Sequence, residues 1–469
     1  MASGAAQDVI QAIRDAGVVG AGGAGFPTHV KLSATVDTVI ANGAECEPLL
    51  GADQAVMTIE PATVLAGLKI AMKATGAKRG YVAVKRNHET AFRAIAEVAR
   101  DEDGIDAFAL DDVYPIGDEH ALVHEVTGRY VPEGGLPLEA GVVVSNVATL
   151  ANVADAVSGR PVTSRYVTVA GAVARPVTAR FPIGTPVVDA IAFAGGPQVE
   201  RYRVVTGGPV MGKLAPDTSA VVTKLTGGII VLPADHPLVK MREEDIAIII
   251  RRARAACCQC MSCTETCPRH LLGHRIAPHL IMRAVSMGPG VPPDVIAGAW
   301  LCSECAVCAT VGCPSGLSPV RINQALKQSM ARKGMKNPYH ESQIAAHPLR
   351  EARRVPSSRM ITRTGIASYA APHRDALGEA REAGEYEGNA GRAEHTLVTF
   401  TPDKVSVPLL QHTGAAAMPC VRPGDEVSEG EPIGEIPAGK LGARVHASIS
   451  GTVTEVGDAI TIVARRGRR

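Results

Sequence analysis

The sequence predicts a multidomain protein of mixed α/β and α+β class. Its 469 residues are too many for one hydrophobic core and suggest three or four domains. Glycine-rich turns alternate with strand-like and helix-like runs near the N-terminus, helical sequence surrounds two groups of cysteines in the middle, and strands with turn signals close the chain. We therefore expect an α/β domain, a small β-rich domain, a cysteine-rich helical domain and a C-terminal β domain.

Composition narrows the class of partner. The net charge is +1, and aromatic residues make up 3% of the chain, so little favours nucleic acid or an anionic membrane surface. The N-terminal stretch carries Asp8, Arg14 and Asp15 and lacks the apolar segment of a signal peptide. No apolar run approaches the roughly 18 residues that a membrane span needs. We expect a cytoplasmic protein with no nucleic-acid partner and no direct membrane insertion.

Each region has its own pattern. Residues 1–160 contain the strand-like runs YVAVK and GVVVSNV and helix-like runs such as PATVLAGLKIAMKAT, an α/β pattern. Residues 161–236 suggest a strand pair, a short helix and a further strand, GGIIVLPA. Residues 237–335 are helical around the cysteines, and residues 336–396 have weak periodicity and are predicted to be a linker. Residues 397–469 have strands separated by RPGDE, SEGE and PAGK turns, typical of a barrel-sandwich hybrid.

Two cysteine runs carry the clearest chemistry. The first has the spacing C-x2-C-x2-C-x3-C followed by proline, and the second repeats it with x4 in place of x3. This spacing is typical of proteins that hold two [4Fe–4S] clusters, in which the fourth cysteine of each run ligates the cluster of the other run. Cluster one is therefore assigned Cys257, Cys260, Cys263 and Cys313, and cluster two is assigned Cys302, Cys305, Cys308 and Cys267.

Zinc and disulfides are the alternatives. Structural zinc commonly uses two C-x2-C pairs separated by a dozen or more residues, whereas here a third cysteine follows after only two. Disulfides would require an oxidising compartment. We expect iron–sulfur clusters, and we expect Cys46, Cys258 and Cys420 to be small buried or incidental thiols.

A glycine-rich stretch, GVVGAGGAGFPTHVKL, is a candidate ligand loop. Glycines let the backbone approach a ligand closely and turn N–H groups toward a phosphate, and a lysine adds a point charge. The residues concerned are Gly20, Gly22, Gly23, Gly25 and Lys31. Alone the stretch is weak evidence, because a plain structural turn has the same composition.

Three further stretches place polar side chains near predicted strand ends, where ligands of α/β sheets commonly bind. They are ANGAECEPLLGAD, YPIGDEHALVHEVTGR and VVVSNVATLANV. Their candidate residues are Asn42, Glu45, Glu47, Gly117, Asp118, Glu119, Asn146 and Thr149.

These four stretches, in this order, resemble the flavin- and NADH-binding subunit of respiratory complex I. More closely similar are the C subunit of the Rnf complex and the cobalamin reductases of propanediol-utilisation microcompartments. In the Rnf C subunit the barrel-sandwich module precedes the glycine-rich loop, whereas here it lies at the C-terminus, an order that resembles the cobalamin reductases. The resemblance implies a Rossmann-like flavin domain, a β-grasp domain, a helical two-cluster ferredoxin-type domain and a barrel-sandwich hybrid. Ala44, Cys46 and Ser145 stand where the complex I pattern has Asp, Ser and Asn.

The resemblance also implies roles for the candidate residues. The glycine loop and Lys31 would serve the phosphate region of a non-covalent FMN, and Phe26 would face the dinucleotide. Asn42, Glu45, Asn146 and Thr149 would line the FMN, while Glu47, Asp118 and Glu119, with Gly117, would lie near the nicotinamide and ribose of NADH. No general acid–base side chain is expected, since the flavin performs the chemistry.

The function implied is NADH-dependent reduction of a corrinoid, cob(II)alamin to cob(I)alamin, through FMN and two clusters. The alternatives are an NADH:acceptor module of an Rnf-like complex and a non-catalytic redox-sensing or scaffold protein. The partners implied are NADH, a corrinoid or a corrinoid-adenosylating enzyme, and shell or lumen proteins of a microcompartment that encloses the protein.

Overall fold

The structure is a computed structural model that describes residues 4–216, 219–288, 292–370 and 399–465. Its first domain is built on a parallel sheet with strand order β3-β2-β1-β5. The strands are β1 (Thr38–Gly43), β2 (Arg79–Lys85), β3 (Ile105–Leu110), the short β4 (Val113–Tyr114) and β5 (Val142–Asn146). The helices are α1 (Gly4–Asp15), α2 (Thr28–Lys31), α3 (Ala52–Ile59), α4 (Pro61–Thr75), α5 (Glu89–Ala99), α6 (Glu119–Thr127) and α7 (Val147–Val157), with a 3-10 helix at Pro137–Ala140.

Sequence signals explain these elements. Helix α4 starts at Pro61, whose missing N–H is harmless there, and ends at Gly76 with φ +77°. It lies so close to α7 that a side chain on Gly67 would overlap the Leu150 backbone. Strand β1 lies between β2 and β5, with Asn42 opposite Asn146. The carboxyl ends of β1 and β5 therefore meet at one edge of the sheet.

The second domain is a five-stranded mixed sheet with strand order β7-β6-β10-β8-β9 and one helix. Its first two strands form the predicted hairpin, and β10 lies parallel to β6. The elements are β6 (Ser164–Gly171), β7 (Val177–Pro182), α8 (Val187–Phe193), β8 (Tyr202–Thr206), β9 (Lys213–Leu214) and β10 (Gly228–Pro233). Phe181 is fully buried at the centre of its core.

The third domain is helical, as predicted. Its helices are α9 (Pro237–Glu243), α10 (Ile246–Ala256), α11 (Ser262–Glu265), α12 (Pro268–Leu271), α13 (Pro278–Met287), α14 (Pro293–Ala297) and α15 (Pro319–Arg332), with a 3-10 helix at Gly298–Leu301 and a π-helical turn at Cys308–Gly312. Among the described residues no single helix is long and apolar enough to cross a membrane. In the described part of the chain, one pair of consecutive helices, α3 and α4, passes the same test when taken together, on length and composition alone; the two helices are bent by 94° relative to each other.

The segment predicted to be a linker contains regular structure where it is described. It forms α16 (Arg350–Arg353), β11 (Val355–Pro356) and α17 (Ser357–Thr364). Strand β11 pairs antiparallel with β4 of the first domain, Val355 opposite Tyr114. Residues 371–396 of this predicted linker lie outside the described residues.

The C-terminal domain consists of two small sheets, β12-β18-β17-β14 and β13-β15-β16. The strands are β12 (Lys404–Pro408), β13 (Met418–Pro419), β14 (Glu426–Val427), β15 (Pro432–Glu435), β16 (Val445–His446), β17 (Gly451–Val456) and β18 (Ala459–Ala464). Buried apolar side chains of this domain and of the first domain form one continuous cluster. Lys224 of the second domain donates hydrogen bonds to the Gly17 and Arg444 carbonyls, both at 2.7 Å, and so joins three domains.

Candidate functional site

The glycine-rich loop turns sharply between α1 and α2. The Gly20 N–H donates to the Phe26 carbonyl at 2.9 Å, which closes the loop. Gly23 and Gly25 have φ of +108° and +64°, values that favour glycine. A Cβ on Gly25 would crowd Leu225 and His412, whereas a Cβ on Gly23 would meet no atom of the described residues within 4 Å. The loop is thus fixed by packing at one end and leaves open space at Gly23.

Strand ends hold this loop in place. The Ala21 N–H donates to Thr149 Oγ1 at 2.8 Å, and Asn146 caps α7 by accepting from the Ala148 N–H at 2.9 Å. On the neighbouring strand, Asn42 donates to the Gly117 carbonyl at 3.0 Å. Predicted residues from four separate stretches therefore lie together at the carboxyl edge of the sheet.

Glu45 is partly buried beside a second acid. Its carboxylate accepts from the backbone N–H groups of Asp53 and Gln54 at 2.8 and 3.2 Å. Burial, followed by the charge of Asp53, raises the pKa of Glu45. Asn146 Nδ2 donates to Asp53 Oδ2 at 2.7 Å. Glu45 itself has φ +36°, a strained conformation of the kind that concentrates at functional sites.

An arginine from the second domain reaches the same region. Arg165, on β6, donates to the Ala21 carbonyl at 2.7 Å and also to the Lys224 carbonyl. Burial raises the pKa of Asp53, and the positive charge of Arg165 acts in the opposite direction. The Arg165 Nε is buried and has no hydrogen-bond partner among the described residues. The sequence interpretation missed both Asp53 and Arg165; Asp53 stands in a stretch already singled out, but no local signal marks Arg165.

Glu47 connects three domains. It accepts from the backbone N–H groups of Val210 and Met211 at 2.8 and 3.1 Å. The Tyr114 hydroxyl lies 2.9 Å from Glu47 Oε1 and 3.0 Å from the Cys305 carbonyl oxygen. Burial raises the pKa of Glu47, against the effect of these donors. A chain of hydrogen-bonding groups thus runs from the strand-end loop to the second cysteine run.

The remaining predicted residues of this site make contacts of their own. Asp118 caps α6 and pairs with Arg269 of the helical domain at 2.8 Å. Burial acts against ionisation of the Asp118 carboxyl, but the charge and hydrogen bond of Arg269 outweigh burial and lower the pKa of Asp118. Glu119 pairs with Lys31 at 3.1 Å. Phe26 is partly exposed at the end of the glycine loop.

The two cysteine runs share an unusual backbone. Gln259, Met261, Glu304 and Ala306 all have φ between +55° and +64°. In each run these residues immediately precede and follow the second cysteine, Cys260 or Cys305. Alternating left-handed residues turn successive N–H groups into a concave anion site, a geometry found at iron–sulfur centres. The repetition at equivalent positions indicates two equivalent sites.

The thiols fall into two neighbouring groups. Burial, then the thiolates of Cys313, Cys257 and Cys260, raises the pKa of Cys263 to about 12. Burial, then Cys302, Cys305 and Cys267, raises the pKa of Cys308, with a smaller effect from Cys263 of the other group. Metal binding would relieve this repulsion and release the protons. Among the described residues, no group of three or more His, Cys, Asp or Glu side chains is placed to hold a single metal ion.

The π-helical turn at Cys308–Gly312 accounts for the longer spacing of the second run. A π turn accommodates one more residue than an α turn, and this run has x4 where the first has x3. A Cβ on Gly312 would lie 2.9 Å from Cys263 Cα and 2.7 Å from Thr266 Oγ1. The extra residue therefore lets the second run pack closely against the first.

Of the remaining cysteines and histidines, Cys258 and His279 line the pocket formed by the first cysteine run, and Cys46 packs against the buried cluster that includes Cys305 and Cys308. Cys46 Sγ accepts from the Gly117 N–H at 3.0 Å, while Cys258 and Cys420 are exposed. His120 and His274 contact each other at 3.4 Å, at the junction of the first and helical domains.

Four family descriptions match the chain in order. They are the Nuo51 FMN-binding domain at residues 13–155, the SLBB domain at 166–214, a 4Fe-4S dicluster domain at 256–318 and the RnfC barrel sandwich hybrid domain at 389–466. The chain is 41% identical to cobalamin reductase PduS of Citrobacter freundii and 42% identical to that of Salmonella typhimurium. Each match covers 98% of this chain and 97% of the relative.

This chain belongs to the PduS cobalamin reductase family. A further relative, the C subunit of the Na⁺-translocating ferredoxin:NAD⁺ oxidoreductase complex of Acetobacterium woodii, is 38% identical over 56% of this chain and 58% of its own length. The predicted resemblance, the four kinds of domain and the oxidoreductase class are confirmed, as are an FMN-binding domain and a 4Fe–4S dicluster domain. The individual ligand residues stay predictions.

Proposed function

We propose that this PduS homologue is an NADH-dependent reductase that converts two cob(II)alamin to two cob(I)alamin for each NADH oxidised to NAD⁺ and H⁺. The supporting observation is the identity of 41–42% to two cobalamin reductases over almost the full length of both chains. We take residues 1–160, 161–236, 237–335 and 397–469 as its domains, and residues 336–396 as the connection.

The glycine loop and strand ends would hold FMN. Open space beside Gly23 and the Nε of Arg165, unpartnered among the described residues, fit a ligand that brings a phosphate and hydrogen-bond acceptors. Asn42, Glu45 and Thr149 would position it, and the partly exposed Phe26 would contact NADH. When bound, FMN accepts an electron pair from NADH and the clusters carry electrons singly.

The cysteine runs would hold the two clusters with the crossed ligand sets. The repeated left-handed residues and the two groups of neighbouring thiols support this assignment. Tyr114 joins Glu47 to the carbonyl of Cys305, so we place cluster two nearer the flavin and cluster one farther from it.

The proposed partners are NADH and a corrinoid, free or held by a corrinoid-adenosylating enzyme. We also propose a cytoplasmic location inside a bacterial microcompartment, among its shell or lumen proteins, on the strength of the resemblance to the cobalamin reductases of such compartments. The second candidate is an NADH:acceptor module of an Rnf-like complex. It is supported by the A. woodii relative, but that likeness reaches only 56% of this chain.

The test compares wild type with a Cys260→Ala/Cys305→Ala double variant, which removes one ligand from each cluster. We expect anaerobic wild type to reduce cob(II)alamin with NADH. The double variant should keep its flavin and reduce small flavin-reactive dyes, but its cob(II)alamin reduction should fall by more than about tenfold, since the route to the corrinoid is broken.

Three outcomes would contradict the proposal. Undiminished cob(II)alamin reduction by the cluster-depleted variant would mean that the corrinoid meets the flavin directly. A wild type that oxidises NADH with dyes and reduces no cobalamin would favour the Rnf-like alternative. Iron content without any NADH-driven turnover would favour the redox-sensing or scaffold role.

A further inference from the structure

A large cleft lies on the helical domain away from the glycine loop. It has a volume of about 720 Å³. Its walls are α9, α10, the π-helical turn with the loop that follows it to residue 318, and the end of α17. This volume is within the range of about 300–1,000 Å³ that is usual for ligand pockets. Cys313, assigned as a ligand of cluster one, is one of its lining residues.

The cleft is joined to the cluster ligand by one short loop. The Leu317 N–H donates to Cys313 Sγ at 3.3 Å, and both Leu317 and Ser318 line the cleft. A molecule in the cleft would therefore touch the same loop that binds the sulfur of the cluster ligand.

Ser318 provides an unused hydrogen-bonding group in this cleft. It is the N-cap residue of α15, a position where serine normally accepts from the helix backbone, yet its side chain makes no capping bond. The residue is only 6% exposed, and its hydroxyl has no partner in the described part of the chain. A buried hydroxyl without a partner is unfavourable. Because the Ser318 oxygen is enclosed by the protein, a ligand would pair with it by displacing the loop at 316–318.

The charged lining is balanced. Three acidic and three basic side chains border the cleft: Asp235, Glu243, Glu244, Lys240, Arg252 and Arg363. A nucleotide polyphosphate would call for an excess of positive charge. A large ligand of small net charge that carries both apolar and amide surface, such as a corrinoid, fits a lining of balanced charge and mixed polarity.

We propose that this cleft is the docking site of the corrinoid, where electrons leave the protein from the cluster that includes Cys313. The inference rests on the proposed cobalamin reductase function and adds the place of the acceptor. It separates the entry of electrons, at the strand-end loop near cluster two, from their exit beside cluster one.

The test uses full-length protein loaded with flavin and iron. Arg252→Trp places a bulky side chain in the cleft, and Arg251→Trp is the matched control, since Arg251 is the exposed neighbour on α10 that does not line the cleft. Hydroxocobalamin binding is measured by equilibrium dialysis without NADH, and the KM for cob(II)alamin is measured anaerobically with NADH. Flavin and iron contents establish that each variant is assembled.

We expect Arg252→Trp to weaken hydroxocobalamin binding and to raise the KM by at least about tenfold. Ser318→Ala should weaken binding by roughly two- to tenfold, the effect of one hydrogen bond, without lowering thermal stability. Arg251→Trp should match wild type in both measurements.

The outcomes separate the two claims. If wild type reduces cob(II)alamin and an assembled Arg252→Trp protein keeps its affinity and KM, the corrinoid docks elsewhere and only the cleft assignment falls. If wild type reduces no cobalamin, the proposed function falls and the cleft assignment with it.

Discussion

Gly23 has a φ of +108° and open space where a side chain would be. No described residue crowds that position, so the space is available to a ligand. Asp53 and Arg165 add charge at the same edge of the sheet, although Arg165 comes from the second domain and lies 144 residues from its partner Ala21. At the residue scale, the motif supplies the backbone of the site and a distant arginine completes it.

The first prediction concerns Gly23→Val. A branched side chain would fill the ligand space and oppose the positive φ, which costs roughly 1–2 kcal/mol for a side-chain-bearing residue. We expect purified Gly23→Val to lose its flavin while keeping its iron, because the cysteine runs lie in another domain. Flavin and iron are measured per chain after purification.

Gly159→Val is the matched control for backbone strain. Gly159 also has a positive φ, +78°, with no atom of the described residues within 4 Å of an added Cβ, but it lies beyond the end of α7. This control should keep its flavin. Stoichiometric flavin in Gly23→Val would show that the loop is only a turn.

At the scale of elements, the π-helical turn at Cys308–Gly312 reconciles two cysteine runs of different spacing. The turn packs against α11. A shift of the turn, which carries Cys308, would therefore also shift Cys263 on α11. Gly312 is the point of closest approach, since its Cβ would come within 2.9 Å of Cys263 Cα.

The second prediction is that Gly312→Ala lowers iron content. Wild type should carry about eight iron atoms and eight acid-labile sulfides, as two four-iron clusters require. The added methyl must push the runs apart, at a cost of about 1–3 kcal/mol for overpacking, so we expect clearly fewer than eight irons with flavin retained.

Gly457→Ala serves as the control, because an added Cβ there meets no described atom within 4 Å. It should keep full iron. A Gly312→Ala protein with full iron would mean that the two runs are not held as closely as the structure places them.

At the scale of the whole molecule, polar contacts join the first domain to the helical domain. Arg269 pairs with Asp118, and His120 contacts His274 nearby. Burial, then Arg269, lowers the pKa of His120 to about 3 and that of His274 to about 4. Both imidazoles are therefore neutral in the folded protein at neutral pH.

The third prediction is a loss of stability in acid. As pH falls from about 6.5 toward 4, the unfolded chain binds protons that the folded protein excludes, so the free energy of unfolding decreases. Above pH 7 the two histidines contribute no pH dependence. His274→Gln removes one of these groups, so its melting temperature should fall less steeply than that of wild type between pH 7 and pH 5.

Comparing the two proteins at each pH corrects for acid damage to the clusters, which they share. Above pH 7 their melting temperatures should differ by a constant amount. Parallel curves down to pH 5 would mean that the His120–His274 contact does not stay neutral and buried in the folded protein.

Local sequence patterns were enough to predict an FMN-binding domain, a 4Fe–4S dicluster domain and the order of the domains. Cysteine spacing and glycine-rich loops are such patterns, because neighbouring ligands on one turn must be a fixed number of residues apart. Only the folded chain shows that Arg165 reaches the glycine loop, that Tyr114 joins Glu47 to Cys305, and that a cleft opens beside Cys313. These contacts join residues that are far apart in the chain, and their positions depend on how whole domains pack, which no local pattern specifies.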